Sequence, residues 1–414
     1  MTEAVQRTAA AEPGGLGPPG AVRALALATL TLMVNFWAWN LLAPLAPRYA
    51  EQLSLSPFEV SLLVSVPVLV GSLGRIPLGA LTDRFGGRIM FAIASYVAIA
   101  PVVFLATAQA YPALLVGGFL VGVSGATFAI GVPYVTPWVH PERRGMALGA
   151  YGAGNIGTAV SGFVSPSIAR SLGRPWAFLA VAVALAVVGT LFLVIGREAP
   201  GRTPATEPFG VRFLRALRLP VARDLALLYA ITFGGFVAFG AYLPTYLAAT
   251  YDIATADAAF RAAGFVVVAT VFRPVGGWLS DRIDGARVLT WALGIVAVGA
   301  IVTAFSPPLP AATVAFLSMA AALGLGNGAI FALLGRRVPV PQVGSVTGLV
   351  GAAGGLGGFL PPLVMGAVSQ ATGSYAIGLM LLSDVAFAGL VYTLWRFLSS
   401  PGGETVGPAR PTPR

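Results

Sequence analysis

The sequence predicts an all-α polytopic membrane protein with twelve transmembrane helices, arranged as two pseudo-symmetric six-helix bundles. Of the 414 residues, 57% are hydrophobic and only 10% are charged, whereas soluble domains carry about 25% charged residues. Apolar runs of about 20 residues, the length that spans a bilayer, recur along the whole chain. The third observation is an internal repeat, which indicates two bundles of related sequence.

The apolar runs define twelve segments separated by mostly short polar turns. These segments cover residues 24–46, 58–81, 88–108, 111–138, 146–170, 174–196, 223–249, 258–280, 287–305, 310–335, 342–370 and 375–398. The longest polar stretch lies between the sixth and the seventh. The predicted organisation is therefore a disordered tail at 1–22, an N-terminal bundle at 23–196, a linker at 197–222, a C-terminal bundle at 223–398 and a second tail at 399–414.

Arginine is distributed unevenly over the connections between these segments. Arg143 and Arg144, Arg336 and Arg337, and the arginines of the linker fall on one predicted side of the membrane, whereas the other side has few, such as Arg48. Short loops rich in arginine stay in the cytoplasm. We therefore expect the linker and both termini to be cytoplasmic, in a multi-pass protein of the cytoplasmic (inner) membrane. The formal charge of +10 reflects this topology and does not indicate nucleic-acid binding.

The composition argues against an enzyme and against a metal or cofactor site. The chain has no cysteine, so it has no disulfide, no thiolate metal site and no cysteine nucleophile. Its one histidine, His140, lies in a short polar loop. We therefore expect no cofactor, no metal and no catalytic residue.

The clearest repeat joins the second and eighth segments. "RIPLGALTDRFGG" aligns without gaps on "RPVGGWLSDRIDG", and weaker echoes pair "GFVSP" with "GFLPP" and "GATFA" with "GAIFA". The alignment pairs Arg75 with Arg273, Gly79 with Gly277, Asp83 with Asp281, and Arg84 with Arg282. Related halves with a substrate site between them are typical of secondary transporters.

Arg75 and Arg273 lie inside apolar segments, where arginine is rare. Arg75 precedes Asp83 by eight residues, which places it about 12 Å deeper along a helix. A central arginine costs about 2.5 to 3.5 kcal/mol on insertion scales, so it normally faces a cavity or a partner. A structural ion pair is the alternative, but the segment interiors offer only Asp384, and one carboxylate cannot neutralise two arginines. We predict that the two guanidiniums face each other and clamp a small planar oxyanion.

The polar pairs at the ends of the second and eighth segments suggest a gate. Asp83 and Asp281 can cap the next helix and pair with neighbouring arginines, so with Arg84 and Arg282 they are predicted to hold the halves closed and not to contact substrate. Gly79 and Gly277 are predicted to let a neighbouring helix approach closely.

Glycine-rich stretches form a further group of candidates. "GAYGAGNIGTAVSGF" opens the fifth segment and "GLGLGNGAIFALLG" lies in the tenth. Small residues favour tight helix packing, but packing alone does not need an amide. Asn155 and Asn327, with their neighbours Gly154, Gly326 and Gly328, are therefore predicted to approach a ligand and donate hydrogen bonds to it. For Asn35 and Asn40 in the first segment, lining the cavity and bonding a neighbouring helix remain equally open.

Several motifs resemble those of a known family. "GALTDRFGGR" is similar to the loop motif of the major facilitator superfamily. "GAGNIGTAVSGFVSP" and "GLGNGAIFALLG" resemble the two nitrate signature stretches of its nitrate/nitrite porter family, and "GRIPLG" and "FRPVGG" resemble that family's arginine segments. The resemblance implies the major facilitator fold, anion-binding roles for Arg75 and Arg273, ligand contacts from Asn155 and Asn327, and an aromatic residue near Phe239 that stacks on the anion. Because Phe239 lacks the hydroxyl of members with tyrosine there, the preference between nitrate and nitrite stays open.

The predicted function is secondary active transport of nitrate, with nitrite as co-substrate or exchange partner, by alternating access. Nitrate/nitrite exchange and nitrate/proton symport both remain open. Two alternatives are a carrier of another small anion and an anion receptor that does not transport. The expected partners are nitrate, nitrite, membrane lipid and, for symport, protons. No nucleic acid is expected, and we expect a monomer.

Overall fold

A computed structural model describes residues 16–55, 57–202, 204, 206–253, 255–372 and 376–398 of the chain. The regular structure of these residues is helical throughout. Most of the predicted N-terminal tail, residues 1–15, and the predicted C-terminal tail, residues 399–414, lie outside the described residues. Residues 16–20 form bends and turns against the N-terminal half: the main-chain N–H of His140 donates to the Leu16 carbonyl (3.2 Å).

Among the described residues, nine α-helices precede the linker. They are α1 (Ala21–Trp39), α2 (Ala46–Leu53), α3 (Pro57–Phe85), α4 (Gly87–Thr107), α5 (Tyr111–Val121), α6 (Phe128–Val135), α7 (Arg144–Gly152), α8 (Gly157–Ser171) and α9 (Arg174–Ile195). The first predicted segment, 24–46, therefore ends later than α1. Prolines Pro44 and Pro47, which lack the N–H that a helix interior needs, follow its end.

The linker contains a helix that the sequence reading missed. This helix, α10 (Phe209–Arg218), is followed by the helices of the C-terminal half. They are α11 (Pro220–Tyr251), α12 (Thr255–Ile283), α13 (Gly285–Ala304), α14 (Leu309–Arg337), α15 (Val343–Thr372) and α16 (Ala376–Thr393), which ends in a π-helical turn at Leu394–Leu398. We call the end of the molecule at which α10 lies the linker side.

Two segments predicted as continuous helices are interrupted. In the fourth, 3₁₀ turns at Gly122–Thr127 and Thr136–Trp138 flank α6, and in the fifth, a 3₁₀ turn at Ala153–Ile156 separates α7 from α8. These turns contain the glycine-rich sequences "GVSGAT" and "AGNI", in which weak helix propensity permits the tighter turn. The corresponding helices of the C-terminal half, α14 and α15, are continuous.

Eleven helical segments of the described chain are long and apolar enough to cross a membrane. The fifth predicted segment is not among these eleven; it consists of helices of 9 and 15 residues joined by the 3₁₀ turn, and its many glycine, serine and threonine residues make it less apolar than the others. Many large apolar side chains on the outer surface are exposed, such as Val183 (64%) and Val298 (62%). In a membrane protein such side chains face lipid. The chain thus has the all-α architecture predicted for it.

The two halves pack closely along α3 with α15 and along α7 with α12. A Cβ atom at Gly79 would collide with the Gly344 carbonyl, and one at Gly277 would collide with the Gly145 carbonyl. Only glycine therefore fits at these two crossings, which lie at equivalent places of the repeat. This close approach aligns the buried arginines of α3 and α12 with the opposite half.

Candidate anion-binding site

Arg75 lies on α3 and is fully buried. Its Nε donates to the Gly125 carbonyl in the 3₁₀ turn of the fourth segment (3.2 Å), and its Nη1 donates to the Gly351 carbonyl of α15 (2.7 Å). The second bond crosses from the N-terminal to the C-terminal half. Nη2 has no hydrogen-bond partner within the described structure.

Arg273 lies on α12 and is 2% exposed. Its Nη1 donates to the Gly152 carbonyl at the end of α7 (3.2 Å), again across the two halves. When the Asn155 amide is oriented so that its oxygen faces the guanidinium, this oxygen accepts from Nη1 and also from Nη2 (3.1 Å). Nε has no partner among the described residues. Each arginine therefore bonds to a glycine carbonyl of the opposite half and keeps one guanidinium nitrogen without a partner among the described residues.

Aromatic rings surround both guanidiniums. Cζ of Arg75 lies 5.3 Å and Cζ of Arg273 lies 5.2 Å from the centroid of the same ring, Phe233 of α11. Phe128 lies 5.5 Å from Arg75, and Phe236 lies 5.4 Å from Arg273. We call Arg75, Arg273, Phe128, Phe233 and Phe236 the central site. Its rings favour cations at their faces and exclude water from the space around them.

The central site carries two positive charges that no described carboxylate neutralises. No carboxylate of the described chain forms an ion pair with Arg75 or Arg273, and the two guanidiniums are close enough to repel each other. Tyr229, stacked on Phe233 with centroids 4.9 Å apart, places a buried hydroxyl within electrostatic range of both. Such a site favours a small anion that accepts hydrogen bonds from both sides.

Four predicted ligand residues lie elsewhere. Gly154 packs on Thr29 and Leu32 of α1, Gly326 packs on Thr232, and Gly328 packs on the main chain of Arg273. Phe239 packs on Phe265 and Phe316, with centroids 5.4 and 5.8 Å away. Phe233 precedes Phe239 by six residues, about 9 Å along α11 and on another face. The structure thus gives the glycines packing contacts and puts Phe233, not Phe239, between the arginines.

The two predicted asparagines differ in their surroundings. Asn155 holds Arg273, whereas both amide atoms of Asn327 are buried without a hydrogen-bond partner in the described structure. Asn35 donates to Ser95 of α4 (3.0 Å) and Asn40 donates to the Thr158 carbonyl of α8 (3.2 Å). These last two therefore bond neighbouring helices, which resolves the alternative that the sequence left open.

Asp83 joins the halves on the linker side. Its carboxylate accepts from the main-chain N–H groups of Gly344 and Ser345 (both 3.1 Å), at the first turn of α15. Asp281 does the same at the first turn of α7, accepting from Gly145 (3.1 Å) and Met146 (2.8 Å). The sequence suggested that each carboxylate caps the next helix of its own half. In the structure, each caps a helix of the opposite half instead. A negative charge at a helix N-terminus is favourable.

The cations that cover these carboxylates are not equivalent, and the predicted Arg84 and Arg282 are not among them. Arg84 lies over Phe85 (5.3 Å) and Arg282 over Trp278 (4.1 Å). Asp83 pairs with Arg212 of α10, and both side chains are 6% exposed. Asp281 pairs with Arg336 (3.3 Å), whose side chain is 36% exposed.

Several residues that form or support the central site and the linker-side ion pairs were not predicted from the sequence. Gly152 and Gly351 could have been found, because they lie in glycine-rich stretches at equivalent positions of the fifth and eleventh segments. Phe233 and Phe128 carried no signal, because one phenylalanine among many in apolar helices indicates only a core. Arg212 was hidden among the linker arginines.

Comparison with known proteins agrees with the fold. The model of the Major Facilitator Superfamily matches residues 28–362 and 225–414. A crystal structure of FucP, a transporter of this superfamily in the outward conformation, superposes with a TM-score of 0.74 at 19% identity, covering 91% of this chain and 99% of that one. The human organic anion transporter MFSD10 gives 0.73 at 16% identity, covering 91% and 100%. These two similarities define the fold.

Closer relatives define the family. A probable nitrate/nitrite transporter, NarK2 of Mycobacterium tuberculosis, is 46% identical over 374 residues, covering 89% of this chain and 95% of the relative. The nitrite extrusion protein of Bacillus subtilis is 39% identical, covering 90% and 94%. The chain belongs to the major facilitator superfamily and, within it, to the nitrate/nitrite porter family. It is a membrane transporter and not an enzyme.

Proposed function

We propose that the protein carries nitrate, and also nitrite, across the cytoplasmic membrane by alternating access, with both termini in the cytoplasm. The observation that carries the proposal is the pair of buried arginines, Arg75 and Arg273, which face one phenyl ring without a carboxylate partner in the described chain. The names of the relatives, a nitrate/nitrite transporter and a nitrite extrusion protein, support nitrate and nitrite as the anions.

The chemistry of the site suits a planar monoanion. Nη2 of Arg75 and Nε of Arg273 are buried donors with no partner in the described structure, and an unpaired buried donor costs about 1 to 3 kcal/mol. Oxygen atoms of nitrate or nitrite would accept from both donors at once. The rings of Phe128 and Phe233 lie 5.5 and 5.3 Å from Cζ of Arg75, and a planar anion would stack on such rings more closely than a tetrahedral one. The surrounding rings also strengthen the charge interaction by excluding water.

Binding of the anion would couple to movement of the two bundles, residues 23–196 and 223–398. The anion relieves the repulsion between the arginines and thereby stabilises the state in which both contact it. Asn155 supports this role by orienting Arg273, and Asn327 offers an amide that remains available to ligand or water. On the linker side, Asp83 and Asp281 would hold the halves closed through the first turns of α15 and α7, and Gly79 and Gly277 would permit this contact.

We favour exchange of nitrate for nitrite over proton symport. A proton-coupled carrier needs a group near the substrate that gains and loses a proton, and the described surroundings of Arg75 and Arg273 offer no carboxylate. Asp384, the acid inside the last segment, is exposed on α16 beside exposed apolar side chains such as Leu381 and Val385. An unloaded carrier with two repelling arginines would reorient slowly, whereas a carrier holding an anion would reorient readily.

The test is uptake of labelled nitrate into proteoliposomes that contain the purified chain, reconstituted as a monomer. Vesicles loaded with nitrite should take up labelled nitrate rapidly, empty vesicles should take up little, and a pH gradient should not change either rate. Uptake into empty vesicles that depends on the pH gradient would establish symport instead. If nitrate neither enters nor competes with any anion that does, the proposed substrate is wrong; binding without flux would indicate a receptor.

A further inference from the structure

The linker helix α10 contacts both halves of the transporter at once. It packs against α3 of the N-terminal half and against α11 and α15 of the C-terminal half. Its Arg212 side chain is buried, with 7% of the residue exposed, although the helix belongs to a polar linker. A helix that contacts both bundles cannot keep all of these contacts when the bundles separate on the linker side.

The Arg212 guanidinium joins α3 to the turn that precedes α15. It donates to the Ala80 carbonyl of α3 (3.0 Å), pairs with the Asp83 carboxylate of α3 and donates to the Pro341 carbonyl (3.2 Å). Ala80 and Asp83 belong to the N-terminal half, whereas Pro341 belongs to the C-terminal half. Separation of the halves on the linker side therefore breaks either the bonds to α3 or the bond to Pro341.

The main chain fixes α10 to the C-terminal half. Only Leu219 separates α10 from α11; its N–H donates to the Arg215 carbonyl (3.2 Å), and its carbonyl accepts from the Ala222 N–H (3.1 Å). The start of α11 is held in turn by Asp224, whose carboxylate accepts from the Tyr392 hydroxyl of the last segment (2.7 Å). Because α10 is bonded to an anchored helix, it should move with the C-terminal half.

The earlier part of the linker is fixed to the N-terminal half instead. Arg202 Nη2 donates to the carbonyls of Thr82 (3.3 Å) and Asp83 (3.0 Å) at the end of α3. The Glu198 carboxylate accepts from the main-chain N–H of Arg88 at the start of α4 (2.7 Å). The linker thus passes from one half to the other between Arg202 and α10, and its later part reaches back to α3 through α10.

The equivalent carboxylate of the C-terminal half is covered differently. Asp281 pairs with Arg336 of α14 (3.3 Å), which belongs to the same half as Asp281. This pair stays intact when the halves separate, whereas the pair of Asp83 with Arg212 crosses between the halves. Breaking a buried pair costs more than breaking an exposed one. The α10 contact therefore adds a barrier to opening that the repeat alone does not provide.

We propose that α10 is a latch that moves with the C-terminal half, docks on α3 when the linker side is closed and leaves α3 whenever the linker side opens. The inference rests on the alternating access of the proposed function. In the docked latch, Arg212 neutralises Asp83 and stabilises the closed state. In the open state both groups face water, so neither is left buried without a partner.

The experiment measures three spin-label distances in the purified chain, which has no cysteine of its own. Cysteines at Ile89 and Arg287, exposed at the starts of α4 and α13, report the separation of the halves. Leu214, 54% exposed on α10, is paired with each of them in two further chains. Each distance is measured without anion, with nitrate, and in Gly277→Ala, whose Cβ collides with the Gly145 carbonyl and forces the linker side open.

The proposal predicts that the Leu214–Ile89 distance lengthens in every condition that lengthens Ile89–Arg287, while Leu214–Arg287 stays constant. A constant Leu214–Ile89 distance would overturn the proposal, because α10 would then stay on α3. Lengthening of both α10 distances would also overturn it, since α10 would belong to neither half. If Ile89–Arg287 lengthens in no condition, the linker side does not open and the latch is rejected.

Two substitutions on α10 test the contribution of the ion pair. Arg212→Gln should raise the ratio of open to closed chains about 30-fold. The matched control Arg215→Gln removes the same charge from the same helix, but from an exposed pair with Glu207 (2.7 Å), and should change the ratio less than about threefold. Equal ratios in the two variants would overturn the latch. Opening of the linker side without uptake of labelled nitrate would reject the transport function and leave the latch intact.

Discussion

The two halves place their buried arginines equivalently but hold them differently. Arg75 and Arg273 each cross to a glycine carbonyl of the opposite half, Gly351 or Gly152. Arg273 is also held by the Asn155 side chain, whereas the partners of Arg75 within the described structure are main-chain carbonyls and aromatic rings. The repeated sequence of α3 and α12 therefore determines where the two arginines lie. Residues outside this repeat, such as Asn155, determine how rigidly each guanidinium is held. In this arrangement Arg273 is the anchored arginine and Arg75 the more adaptable one.

The largest effect on nitrate exchange should come from replacing a planar guanidinium by an ammonium group, which keeps the positive charge. We expect Arg75→Lys and Arg273→Lys each to lower nitrate exchange by about 100-fold, since a lost charge-assisted hydrogen bond costs up to about 3 kcal/mol. Initial rates in nitrite-loaded proteoliposomes measure this. Arg287→Lys, an exposed arginine of the linker side, serves as the control. If only Arg273→Lys is impaired, the two arginines do not act together.

A second comparison measures how much each linker-side ion pair, Arg212 with Asp83 and Arg336 with Asp281, stabilises the closed linker side. Arg212→Gln removes a buried partner of Asp83 and should destabilise the closed linker side by about 2 kcal/mol, less than a fully unpaired buried charge because the α15 N–H groups remain. Arg336→Gln removes a partly exposed cation and should cost less than about 1 kcal/mol. Spin-label distances across the linker side report the closed fraction. Equal shifts in the two variants would contradict the greater importance of the α10 contact.

A third comparison tests the carbonyl contacts. A Cβ at position 351 would lie 2.9 Å from Cδ of Arg75, whereas one at position 152 would lie 3.3 Å from Nη1 of Arg273. We expect Gly351→Ala to reduce exchange by about tenfold, consistent with an overpacking cost of about 1.5 kcal/mol, and Gly152→Ala to reduce it less. Gly162→Ala is the matched control, because nothing lies within 4 Å of that Cβ. A reversed order would indicate that the rigid hold on Arg273, and not the closeness of the added Cβ, decides how far exchange falls.

The smallest expected effect concerns the amides. Asn155→Ala should weaken exchange about fivefold, about 1 kcal/mol, because Arg273 loses an orienting acceptor. Asn327→Ala should have a smaller effect, since that amide bonds neither arginine within the described structure. The nitrate concentration for half-maximal exchange is the relevant measurement. A larger loss in Asn327→Ala would show that its unpaired amide, and not Asn155, meets the anion.

The fold class and the pair of arginines could be predicted because both leave simple signals. Apolar runs of about 20 residues indicate transmembrane helices directly. An arginine inside such a run must face a cavity or a polar partner. The partners of Arg75 and Arg273 could not be predicted in the same way. Gly351 and Gly152 act through main-chain carbonyls, so their positions depend on how the two halves dock. Weak helix propensity permits the 3₁₀ turns of the fourth and fifth segments, but the glycine-rich α14 and α15 stay continuous, so tertiary packing decides which stretch is interrupted.

Nitrate titration calorimetry on the purified chain tests the central claim most directly, namely that Arg75 and Arg273 jointly bind one anion between the halves. The account predicts one nitrate per chain in the wild type and no measurable binding in either Arg75→Lys or Arg273→Lys, with both variants folded as judged by thermal unfolding. Two independent nitrate sites per chain, or wild-type affinity retained in either folded variant, would contradict the shared site.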